Sequence, residues 1–175
     1  MKPAWLASVM LALAVSGQAL AETSAPVEQA LLPSLPSIEP VRHGYAFDDP
    51  DLLLRQQIFG LAHSIHLLLS ACLDKAEDPD AVQQAYATWH PAQESAIEAS
   101  YRSLAAHHYG ALAERVTWQD VARLFKLKET IYPSLGSINL QDACASFPEA
   151  LRQPRYDFAA QLEKSNDNRG HSGQR

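Results

Sequence analysis

Apolar positions recur at helical spacing along most of the chain, and no run of alternating β-branched residues competes with them. The clearest stripe lies in "LLLRQQIFGLAHSIHLLLSACLDK" (52–75). Leu54, Ile58, Leu61, Ile65, Leu68, Leu69 and Cys72 fall within about a third of a helical wheel there. His63 and His66 fall on another face, near Gln56, Phe59 and Ser70.

Two matching signals start helices. "DPD" stands at 49–51 and again at 78–80. The first Asp can accept from the free N–H groups of the first turn, and Pro loses no bond at the next position. The second Asp complements the positive end of the helix dipole. The pattern therefore predicts a helix from Pro50 to Lys75 and another from Pro79 to Tyr109, with Gly110 as the C-terminal cap. The short link makes them antiparallel neighbours. Pro91 must kink the second helix or restart it.

"TWQD" (117–120) has the spacing of a capping box. The helix it opens carries Val121, Leu124, Phe125, Lys128 and Tyr132, and is expected to stop before Pro133. "PSLGS" then reads as a turn. "INLQDACASFPEAL" places Leu140, Cys144, Phe147 and Leu151 on one stripe, and a short last helix from Arg155 to Lys164 buries Phe158 and Leu162. The expected fold is all-α: an up-and-down bundle of four main helices with a short C-terminal helix and one disulfide.

The ends read differently. Lys2, the apolar run "AWLASVMLALAV" and Ala19 and Ala21 in an A-x-A pattern form a secretory signal, residues 1–21, cleaved before Glu22. The apolar run is short of the ~18–20 residues a membrane span needs, so no span is expected once it is removed. Residues 22–47, with Pro26, Pro33, Pro36 and Pro40, read as a linker, part of whose apolar "LLPSLPSI" could lie on the domain. The bundle occupies 48–164. The polar stretch "SNDNRGHSGQR" (165–175) reads as a disordered tail.

Charge narrows the partners. The chain carries −6, and losing the signal removes one positive charge more. It has no Lys/Arg cluster, so neither nucleic acid nor an anionic lipid surface is expected as a partner. The two cysteines, Cys72 and Cys144, both sit mid-stripe on their helices. Export and even count predict that they pair. Closing so long a loop could stabilise the fold by about 4 kcal/mol on the chain-entropy model.

His63 and His66 are the candidate metal ligands, at i and i+3 on one face. Cys72 does not share that face, and zinc or copper sites need three or four convergent ligands, so His90, His107 or His108 would have to complete the set. C-x-x-C-H is absent, which excludes covalent haem but not a non-covalent one. "HHYG" (107–110) reads as a helix end, where a protonated His would favour the dipole. Tyr86, Trp89 and Tyr101 read as packing with Val82, Ile97 and Leu104, and Glu94 and Glu98 as a solvated face.

No nucleotide loop, zinc-protease helix, nucleophile elbow or EF-hand loop occurs. The expectation is therefore a periplasmic or secreted protein that acts by binding an envelope or secreted partner, as an inhibitor, immunity-type protein, adaptor or chaperone. It is not expected to be an enzyme or to carry a cofactor. The alternative is a bundle holding a transition metal or non-covalent haem through His63 and His66. A third reading, an enzyme without a known motif, would use His66 or Glu94.

Overall fold

The computed structural model describes residues 38–172, which fall within one compact unit, Pro36–Arg175. The expected signal sequence, residues 1–21, and the first part of the expected linker lie outside the described residues. Among those described there are six α-helices and no strand.

The first two helices begin and end where the sequence puts them: α1 spans Pro50–Lys75 and α2 spans Pro79–Tyr109. Asp49 accepts from the Leu52 N–H at 3.0 Å, and Asp78 from the Ala81 N–H at 3.0 Å. Pro91 lies inside α2 without interrupting it. Pro91 and Ala87, four residues earlier, are both exposed, so water can reach the carbonyl that Pro91 leaves without a donor. Gly110 ends the helix at φ 57°, a conformation glycine adopts without strain.

The segment after α2 departs from the pattern. A 3-10 stretch, Gly110–Arg115, leads to α3, Trp118–Leu124, opened by the Thr117/Asp120 capping box. The expected continuation to Tyr132 does not form. The chain turns at Lys126, whose φ is 55°, and the Leu127 N–H closes the end on the Ala122 carbonyl. Tertiary packing overrides the stripe: Phe125 enters a cluster with Phe59, Tyr45 and His108, and Ile131 buries separately. Pro133 does not stop a helix. It sits in the first turn of α4, Tyr132–Leu135, where its missing N–H costs nothing.

Asn139 caps α5, Leu140–Ala150, and a 3-10 turn at Pro154–Tyr156 leads into α6, Phe158–Ser172. The Asp157 carboxylate accepts from the Ala160 N–H at 3.1 Å. Residues 165–172, read from composition as tail, continue this helix. No proline interrupts them, and Ser165 donates to Asp51 at 3.3 Å, tying the extension to α1. The linker is corrected at its other end. Ile38 and Ala46 pack on the bundle, and the N–H groups of Val41 and Arg42 both donate to the His108 carbonyl. Residues 38–47 thus form a strap that belongs to the domain.

Two hydrophobic clusters meet along α1. Ile58, Ala62, Ile65 and Cys72 face Val82, Trp89, Cys144, Phe147 and Phe158. Leu52 and Phe59 face Leu104, Tyr109, Val121 and Phe125. The stripe expected from the wheel is therefore one of two buried faces. Cys72 and Cys144 are bonded, with their Cα atoms 5.5 Å apart, and clamp α1 to α5.

Candidate functional site

The face of α1 bearing His63 and His66 is half-buried, and Trp118 at the start of α3 lies against it. The Trp118 indole N–H donates to His63 Nδ1 at 3.0 Å. His63 Nε2 lies 2.8 Å from the Lys128 carbonyl, which can only accept. His63 is therefore neutral with its proton on Nε2, and both ring nitrogens are engaged. The irregular segment after α3, which supplies the Lys128 carbonyl, is what the helical pattern missed.

His66 points elsewhere. Its ring lies 5.6 Å from Trp118, 6.0 Å from Tyr86 and 6.2 Å from His90, centroid to centroid. Burial pushes its pKa below the ordinary value, and the neighbouring His90 and His63 push it the same way. Tyr86 is shifted up by burial and by Glu94. Among the described residues no group of three or more His, Cys, Asp or Glu side chains could hold a metal ion. The pair singled out in the sequence is thus divided: His63 positions α3 against α1, and His66 packs among aromatic rings. Cys72 is in the disulfide.

Among the described residues the histidine with the least exposed surface is His108, 1% exposed. The Arg42 carbonyl lies 3.0 Å from Nδ1, which must therefore carry the proton. Nε2 then accepts from the Gln56 amide at 3.4 Å, and Gln56 Oε1 accepts from the Ala46 N–H at 3.1 Å. This chain fastens the strap to α1 and α2, and among the described residues no buried side-chain polar atom lacks a partner. "HHYG" does end α2, as its sequence predicts, and His108 turns inward there. Burial pushes its pKa down, the Arg42 carbonyl opposes that shift, and positive charge on His107, Arg42 and His43 adds to it.

The strap presents apolar side chains to solvent. Phe47 is 75% exposed, Val41 67% and Tyr45 50%. The Tyr45 ring rests 5.4 Å from Phe125 and 5.9 Å from Phe47. His43 and Lys126, both exposed, line one surface with Tyr45. Sequence reasoning passed over this feature because proline content marked the segment as linker. "YAF" (45–47) directly before the first helix cap was the available signal. Comparison with family models, with curated proteins and with solved structures finds no match for this chain.

Proposed function

We propose that this is an exported binding protein, working in the periplasm or outside the cell, and that the strap is its contact surface for an envelope or secreted protein. The observation that carries the reading is the exposed Tyr45–Phe47 pair on a backbone held by buried hydrogen bonds. Aromatic side chains give large contact area at small entropic cost when their backbone is already ordered. His43 and Lys126 line one surface with Tyr45, and Asp48 follows Phe47, on a chain whose total charge is −6. The partner therefore offers an apolar pocket for the two rings and an acidic group opposite Lys126, and binding orders no new segment of the strap. No catalytic role is assigned to any residue.

The test compares capture of envelope proteins by the mature protein and by Tyr45→Ala/Phe47→Ala and Lys126→Glu variants with unchanged helical content. The aromatic variant should lose the specific partner, and Lys126→Glu should weaken binding most at low salt. A partner retained equally by all three would remove the strap from the contact. Export has its own check: amino-terminal sequencing of protein from the periplasm should begin at Glu22.

A further inference from the structure

A second site stands apart from the strap reading. Leu61, Ile65 and Leu68 follow one another at helical spacing on α1, yet Leu61 and Leu68 stay half-buried. They line a cavity of about 410 Å³, bounded by α1, α4 and α5. Phe147, which is buried, lines it from α5, and Leu135 lines it from α4. Ile138, another of its lining residues, remains 57% exposed. Among the described residues nothing covers this apolar surface. Arg155 and Tyr156 also line the cavity. The guanidinium lies over the Tyr156 ring, 4.5 Å from its centroid, and donates to its hydroxyl. Among the described residues Arg155 forms no ion pair, as Arg42 and Arg115 do not, and of these three it alone lines this cavity.

We propose that this cavity binds a single-chain amphiphile with an anionic head, its tail between α1 and α5 and its head on Arg155. The volume falls in the range of small-molecule sites, and one cation in an apolar lining is the usual way such sites fix orientation. A guanidinium suits a carboxylate because its planar N–H groups can meet both oxygens. The Cys72–Cys144 bond holds two walls of the site together, so the cavity is formed before the ligand arrives.

Calorimetric titration of the mature, oxidised protein with decanoate tests this. Decanoate should bind at one site per chain, and more tightly than decyltrimethylammonium. Arg155→Gln, an exposed change, should weaken decanoate about tenfold and abolish the preference between the two. Ala150→Trp, at the half-buried cavity wall, should block both while the far-ultraviolet spectrum and disulfide are retained. Tyr45→Ala/Phe47→Ala should leave decanoate binding unchanged, which separates this site from the strap. Failure of decanoate to saturate would overturn the proposal, as would binding that Ala150→Trp leaves intact. Sedimentation with phosphatidylglycerol vesicles distinguishes a free amphiphile from a bilayer. Pelleting that Ala150→Trp does not reduce, without decanoate binding, also overturns it.

Discussion

The two hydrophobic clusters that share α1 are secured in different ways. One contains the Cys72–Cys144 bond amid carbon side chains, with Phe147, Phe158 and Ile58 fully buried. The other is threaded by a polar chain, from Ala46 through Gln56 and His108 to the Arg42 carbonyl. A covalent link acts mostly by restricting the unfolded chain and is indifferent to pH. A buried hydrogen-bond chain acts in the folded state and fails if one member changes protonation. The first cluster is therefore sensitive to reductant and the second to acid.

The largest effect expected is on the first cluster. Reducing the disulfide, or replacing both cysteines with alanine, should cost about 4 kcal/mol on the chain-entropy model, since the bond closes a separation of 72 residues. Urea unfolding with and without reductant measures this. Equal midpoints would mean that packing alone holds α5 on α1, and the contrast between the clusters would disappear.

Gln56→Leu probes the second cluster. It leaves the Ala46 N–H and His108 Nε2 without their partner in a buried place, and each orphaned group costs about 1–3 kcal/mol. Unfolding should shift accordingly, and amide exchange at Ala46 should accelerate before exchange in α5 does. A variant as stable as the parent would show that water replaces the amide, and the strap would not depend on this chain.

Acid gives a smaller and directional effect. The unfolded imidazole titrates near 6.5, while His108 and His66 are both shifted below that by burial. Below about pH 6.5 the unfolded chain thus binds more protons than the folded one. The stability these groups contribute is complete above that pH and is lost as pH falls toward their folded values. Ring-proton titration by NMR should place both below the ordinary histidine value. Unfolding of His108→Gln should depend less on pH across this window than the parent does. An unchanged pH dependence would move the acid sensitivity to His66, which packs against His90, Tyr86 and Trp118.

The same contrast explains what could be read in the sequence. Features set by neighbours in the chain were legible: both Asp-Pro-Asp starts, the Gly110 cap, the Thr117 box and the stripe through Cys72. The pairing of Cys72 with Cys144 followed from their two mid-stripe positions, the even count and the expected export. The second cluster was not legible, because distant segments make it. Phe125 packs on Phe59 from the end of α3, and His63 accepts from the Trp118 indole and donates to the Lys128 carbonyl. His108 does lie at the end of α2, but its burial was not legible, because its partners, Gln56 and Arg42, come from 52 and 66 positions away. Periodicity carries no information about such pairings.

The smallest effect tests whether local and distant parts of the second cluster act together. Thr117 accepts from the Asp120 N–H, and Asp120 accepts in return from the Thr117 N–H at 2.8 Å. Thr117→Ala should cost about 1 kcal/mol, the usual value of an N-cap. Trp118 is the first residue of α3, and its indole fixes the His63 proton on Nε2. Fraying the cap should therefore weaken a bond 55 positions back along the chain. Nitrogen-15 spectra of the imidazole report the tautomer directly. In the parent His63 should appear as the Nε2–H form, and in Thr117→Ala as a mixture. A loss of stability with an unmixed tautomer would mean that contact with Phe59, 4.2 Å from the Trp118 ring, holds the indole without the cap. The second cluster would then owe its order to packing, as the first does, with hydrogen bonds fixing only the strap.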